Sequence, residues 1–452
     1  MTEVAMGWSG WLAAGAMLLA AIFLVRYVGA NLSLAGTTLG LFLLFHGPAY
    51  LYYTRVWGPD TDFYDHILAA APGQPVIRNL DLAIGSLFLF LFLGVRFADV
   101  CWRENRQSMR RAIVAWGATA ARVSVSEASR LRFWLVFIGF GVLVPFLFID
   151  NQLSKVVDYF SIDLSAQDKI DLRREEGGSA YYLYNVLIST FAPFLSFCVV
   201  AARRQAGRNW KVLGIAFVGL LSVAKMAMLS KAPLAVFIVQ LVVICMLCKS
   251  LQVRPGAAVG VTATAVVGFA VMAVIAIPSL DGLEVLANFL FYRVFMIVNE
   301  SLLEYFAAIP YVLHFSWGAK MGWVASLFQG DAGLPNYWLV AQVHRGMIAS
   351  TTSAMFLGDA WADWSWLGVI LYPFAMGFLM RGIDIKLIAH RGKSIGAIAA
   401  LGLGHFAIFI ALTRSLQTMV ITGGLLFVVF FCWLIGGAQD RRDFLPSARG
   451  IA

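Results

Sequence analysis

Apolar residues in this chain gather in runs about twenty residues long, separated by short polar or basic stretches. Coiled into a helix, such a run crosses the hydrocarbon core of a bilayer, about 30 Å thick, with every backbone hydrogen bond satisfied within the run. The runs fall near 8–28, 32–53, 79–100, 132–150, 181–202, 212–229, 232–249, 257–279, 365–381, 395–413 and 416–436, which predicts about eleven transmembrane helices. The first, starting near Trp8, is too long for a signal peptide and lacks its small-residue cleavage pattern, so it is read as retained. There is no internal repeat and no soluble domain, and residues 1–452 read as one transmembrane domain.

The intervals between runs include 54–78, 151–180 and 280–364. Within the last, residues 285–309 are apolar but broken by Arg293, Asn299, Glu300 and Glu304. As a lone crossing they would reverse the side of the basic connection 381–393 and place charge in lipid at several kcal/mol. An interfacial or re-entrant helix is therefore expected. Residues 323–343 include Gln329, Gly330, Asp331, Pro335 and Asn336 and cannot span. The interval 280–364 reads as a long outer loop with amphipathic helices, lying as a lid over the site.

Composition supports the membrane class: 60% of residues are hydrophobic, only 13% are charged, and the mean hydropathy is +0.79. The net charge of +9 does not indicate nucleic acid, because Arg and Lys collect in short connections and form no basic face. Those connections run from Arg103 to Arg132, Arg203 to Lys211, Lys249 to Arg254 and Arg381 to Lys393. Placing them all in the cytoplasm sets the N-terminus and the intervals 54–78, 151–180 and 280–364 outside. The five cysteines then lie near cytoplasmic helix ends, which excludes a disulfide framework. Cys245 and Cys248 have CxxC spacing, but in an apolar helical setting.

This topology puts His46, Asp81, Asp150, Asn185 and Lys225 in the outer halves of their helices, with His405 near mid-depth and Lys231 and Arg414 in short outer turns. Two readings stand open: a polar cavity opening outward, or side chains that snorkel and hydrogen-bond between helices. Arginines kept in outward intervals are candidates for holding an anion, since the guanidinium fork matches phosphate. They are Arg173 and Arg174, Arg293, and Arg345 beside His344. Pairing of Arg173 and Arg174 with Glu175 and Glu176, or of Arg293 with Glu300, is the alternative. His344, Asp359, Asp363, Glu300 and Glu304 are candidates for proton transfer, with His344 titrating nearest neutrality. No zinc-ligand, Walker or nucleophile-elbow motif is present.

The run Phe356-Leu357-Gly358-Asp359-Ala360-Trp361-Ala362-Asp363-Trp364-Ser365-Trp366-Leu367-Gly368 resembles the FLGE-x-Y-x-D-F-G-x-x-G pattern of the bacterial O-antigen and exopolysaccharide repeat-unit polymerases, relatives of the O-antigen ligases. Arg293 with the aromatic stretch to Tyr305, the turn Ser230-Lys231-Ala232-Pro233, and the run from Arg173 through Gly177-Gly178 to Tyr182 add to the likeness. Asp359 stands where the family commonly has Glu, Ser365 where Gly is usual, and Lys231 where Arg is frequent.

The resemblance implies an all-α, polytopic, GT-C-like glycosyltransferase of the inner membrane that works on the periplasmic face without metal or other cofactor. Undecaprenyl-diphosphate-linked oligosaccharide would be both donor and acceptor, alongside the bilayer itself and a chain-length regulator protein whose binding the sequence leaves open. Arg173, Arg174, Lys231, Arg293 and Arg345 would hold the diphosphate, His344 and Asp359 would act in catalysis, and Lys225, Glu300 and Tyr305 would bind substrate. A ligase and a lipid-glycan flippase are the competing expectations.

Overall fold

The computed structural model describes residues 6–121, 125–148, 179–203, 208–226, 231–253, 282–320, 334–346, 352, 354–414 and 416–435, with the single positions 256, 263, 267 and 270. Helix is the regular element throughout these residues, and nine helices among them are long and apolar enough to cross a membrane. The expected eleven differ for identifiable reasons. The run 232–249 forms a shorter helix, Lys231–Leu247. The run 257–279 lies outside the described residues apart from those single positions, and 416–436 is divided into Leu416–Val420 and Leu425–Ile435 around Gly424, whose φ of +80° ends the first turn. Conversely, residues 283–308, expected in the interface, form one rod of 26 residues with the length and composition of a crossing.

The chain divides into two compact units. The first comprises Met1–Gln107, Ile277–Ile385 and Ile408–Met419. Its helices are α1 (Trp8–Phe23), α2 (Leu34–His46), α3 (Pro48–Tyr52), α4 (Asp62–Ala69) and α5 (Val76–Cys101). At the heart of this unit, α5 lies against the helix Phe356–Asp384. Gly94 faces the backbone of Phe374 and Phe378, while Gly377 faces the carbonyl of Leu91, and neither position has room for a Cβ. Small residues of this kind let membrane helices approach backbone to backbone, where dispersion replaces the missing hydrophobic drive.

Close approach brings buried charges within reach of one another. Arg381 donates to Asp99 at 2.8 Å, and Tyr27 donates to the other oxygen of the same carboxylate at 2.7 Å. Asp81, which the sequence left free to snorkel, is fully buried; it accepts from Arg55, Tyr50 and Ser9, each at 2.7 Å. Asp384 accepts from the backbone N–H groups of Leu34 and Ala35 at 2.7 and 2.9 Å, so a carboxylate sits on the positive end of α2 beside the Ser33 cap. His46 is bonded to Asn299 at 3.0 Å, the interhelical role left open above.

The segment Phe356–Asp384 is two helices meeting at Ser365, where φ is +52° and ψ −139°. The elbow is sharp: a Cβ on Gly368 would strike the carbonyl of Ala360, and the rings of Trp361 and Trp366 meet at 5.4 Å. The helix of the run expected from 365 thus continues N-terminally through the elbow to Phe356, and the whole of Phe356–Arg391 is long and apolar enough to cross a membrane. The elbow also gives a local reason for glycine to be favoured at the position of Ser365, because left-handed φ is strained for a residue with a Cβ.

The second unit comprises Ser108–Ala276, Lys386–Ala407 and Val420–Ala452. Phe194 packs its ring against Phe427 and Phe431 at 5.1 and 5.2 Å, and Gly402 fits against Ile244 and Phe197.

Ser365→Gly is expected to raise stability by about 1 kcal/mol by relieving the strained φ, whereas Gly94→Ala is expected to lower the melting temperature. Thermal unfolding of the detergent-solubilised protein checks both.

Candidate functional site

The rod Leu283–Ala308 organises the site. It has a π-turn at Tyr292–Met296, followed by Ile297–Ala308, in which every residue from Val298 onward is buried. Glu300 and Glu304 are four apart and therefore share a helical face, where two like charges repel. One guanidinium answers both: Arg345 donates from Nη2 and Nε to Glu304 at 2.7 and 3.2 Å, and its Nη2 lies 3.8 Å from Glu300. The remaining acceptor capacity is also used. Thr352 donates to the second oxygen of Glu304, and the Tyr292 hydroxyl donates to Glu300 at 2.8 Å.

Arg345 ends the helix Asn336–Arg345, which Gly346 stops in the left-handed conformation with φ +63°. Both His344 and Arg345 therefore stand in the last turn, where the helix dipole favours positive charge. His344 is buried, with Nε2 donating to the Glu304 carbonyl at 3.0 Å. That bond assigns the proton to Nε2 and leaves Nδ1 as a lone pair, buried and without a partner. Burial pushes the His344 pKa down from its ordinary value, against the opposing pull of Glu304. His66 in turn bonds the His344 carbonyl at 2.9 Å. For Arg345, burial works against the charge, but the Glu304 carboxylate outweighs it and the pKa is raised.

Arg293 sits in the π-turn, exposed, with its guanidinium 5.4 Å from the Phe289 ring. It does not take the pairing with Glu300 that the seven-residue spacing suggested, because Tyr292 and Arg345 occupy that carboxylate. Its charge nonetheless acts on Glu300 and Tyr292. Arg293 and Arg345, 52 residues apart, are therefore gathered around the same glutamate.

A second cluster uses another face of the same rod. Tyr305, fully buried, donates to Asp359 at 3.2 Å. Asp363 accepts from Ser316 and from Asn336 at 3.0 Å. Tyr337, raised in pKa by burial and by the charge of Asp359, also feels Arg414. Among the described residues no hydrogen bond joins His344 to Asp359, so the two expected catalytic groups fall in separate clusters.

No family model, curated protein or solved structure matches this chain.

The other expected residues are placed as follows. Lys225 belongs to the second unit, buried, with its ammonium 5.6 Å from the Phe237 ring. Lys231 opens the helix Lys231–Leu247, but its side chain, like Arg173 and Arg174, lies outside the described residues. Among the described residues no group of three His, Cys, Asp or Glu side chains is placed to hold a metal ion. Thr352, Tyr292 and His66 were missed by the sequence reading. Hydroxyls and a lone loop histidine have no local signature, and His66 meets a residue 278 positions away.

Replacing Glu304 with Gln is expected to cost about 1–3 kcal/mol, because Arg345 loses its charged acceptor. The His344 ring binds a proton less readily in the folded state than in the unfolded state. The unfolded chain therefore takes up the extra proton as pH falls below about 6.5, and stability declines in that direction. Melting temperatures from pH 7.5 to 5 should show this component in the wild type and lose it in His344→Gln.

Proposed function

We propose that this protein is an integral-membrane glycosyltransferase that polymerises oligosaccharide units carried on undecaprenyl diphosphate, at the periplasmic face of a bacterial inner membrane. The observation that carries the reading is the gathering of Arg293, Glu300, Glu304, His344 and Arg345 around one helical rod. Of these, Arg293, Glu300, His344 and Arg345 are residues to which the resemblance to repeat-unit polymerases gives roles, and Glu304 is a proton-transfer candidate from residue type alone.

In this reading the donor's anomeric C–O bond to phosphate breaks as the acceptor's sugar hydroxyl forms a new C–O bond from the opposite side, inverting that centre. The leaving group is a lipid diphosphate, whose developing charge is met by Arg293 and by the guanidinium of Arg345. The glutamates fix the Arg345 fork in advance, so little reorganisation accompanies the reaction. The acceptor proton passes to His344, whose neutral ring keeps its Nδ1 lone pair for the purpose. A small displacement of the helix end must admit the acceptor, since that atom is buried in the structure as it stands. Asp359, poised by Tyr305, orients the sugar in the neighbouring cluster, with Glu300 and Tyr305 as substrate contacts.

Purified full-length protein supplied with a single lipid-linked repeat unit should give a ladder of products. Transfer only when a second acceptor is added would indicate a ligase, and movement across liposomes without new glycosidic bonds a flippase. Arg173→Ala, Arg293→Ala and Arg345→Ala should each reduce polymer about a hundredfold or more at equal membrane levels. Normal ladders from all three would refute the residue assignment.

A further inference from the structure

The second unit contains a cavity of about 790 Å³ that the proposed transferase chemistry does not use. Its lining comes from the four basic connections that the charge rule places together on the cytoplasmic side. They contribute residues 117–121, Arg203, residues 248–250 with Gln252, and Lys393. Three of the described lining residues are cations, namely Arg203, Lys249 and Lys393, and none is acidic. Basic residues that merely follow the positive-inside tendency spread over a surface; here they close around a volume large enough for a small-molecule headgroup.

The cavity is built on helix ends. Trp116, near the end of Arg106–Ala118, donates its indole N–H to the Leu247 carbonyl at 2.8 Å. Lys393, buried, donates to the carbonyls of Trp116 and Lys249 at 3.0 and 3.2 Å. Three helix C-termini meet here, ending at Ala118, Ala202 and Leu247, each worth about half a negative charge. Lys393 offsets most of that. Arg203 and Lys249 remain as exposed cations at the rim, Arg203 making only a 3.4 Å contact to the Cys245 sulfur. Thr119 and Ser250 add hydroxyls to the lining, while Val114 and Val200 supply an apolar wall.

We propose that this cavity binds a phosphate group, with Arg203 and Lys249 as its charged ligands. Guanidinium and ammonium groups beside hydroxyls suit phosphate oxygens, and basic pockets between membrane helices take anionic headgroups. The same chemistry serves a phospholipid headgroup or a free phosphate compound.

The test uses the full-length protein in detergent. Native mass spectrometry with phosphatidylglycerol against phosphatidylcholine reads lipid retention, and calorimetric titration with pyrophosphate reads the soluble source. Arg203→Gln combined with Lys249→Gln, both exposed, is the test variant; it leaves the Lys393 bonds to backbone intact. Arg110→Gln with Arg111→Gln, exposed on the same unit but outside the lining, is the control. At least one probe should bind the wild type, and binding should weaken about tenfold in the test variant alone. Retention of phosphatidylglycerol only assigns the site to a headgroup, and pyrophosphate binding only assigns it to a free phosphate. The proposal is overturned if neither probe exceeds the phosphatidylcholine background, if the test variant matches the wild type, or if the control loses as much as the test variant.

Discussion

A carboxylate inside a membrane helix is tolerable only if another helix brings it a donor, and the first unit depends on this requirement. Asp81 meets Arg55, Asp99 meets Arg381, Asp384 meets the start of α2, and Glu304 meets Arg345. Removing either partner from a buried pair strands a charge in a medium of low dielectric, at a cost of several kcal/mol. The pairs therefore act less as added stability than as a specification of which helices are neighbours and at what rotation. The glycine contacts at Gly94 and Gly377 make this possible by letting two backbones approach closely enough for Arg381 to reach Asp99.

Exposure separates these pairs by role. The side chains of Arg381 and Asp99 are 2% and 3% accessible, so that pair holds helices together and can meet no substrate. The side chain of Arg345 is 26% accessible while that of Glu304 is wholly buried, so the same ion-pair chemistry there presents a fixed cation at a boundary. Glu300 and Glu304 hold one arginine, Tyr292 donates to the Glu300 oxygen that faces it, Thr352 donates to the second oxygen of Glu304, and Arg293 stands exposed nearby. A preorganised cation beside a neutral histidine suits a reaction in which an anion departs and a hydroxyl loses its proton.

Several features were legible from the chain alone. The crossings at 8–28, 79–100 and 395–413 agree with helices Trp8–Val28, Val76–Cys101 and Ile395–Thr413 to within a few residues, because apolar length is a local property. The run expected from 365 lies within the longer helical segment Phe356–Arg391, and the left-handed backbone at Ser365 that bends it was not legible. Arg345 was found as an arginine kept in an outward interval, and His344 as the side chain titrating nearest neutrality. The rod Leu283–Ala308, expected in the interface, also has the length and composition of a crossing; charges counted along one segment cannot register that Arg345 and Thr352 meet its glutamates from other segments.

The sequence by itself determined an all-helical, multi-pass membrane protein, most of its candidate crossings, and a set of polar candidates of which Arg293, Glu300, Glu304, His344, Arg345, Asp359 and Asp363 lie in the interval 280–364. Those follow from hydropathy and residue type, which act over one or two helical turns. Tertiary structure decided which carboxylate meets which cation, that His344 and Asp359 belong to different clusters, and that four basic connections enclose one cavity in the second unit. Each of these depends on the rotation and choice of neighbouring helices. Contacts between residues 26 to 350 positions apart set both, and no local pattern encodes them.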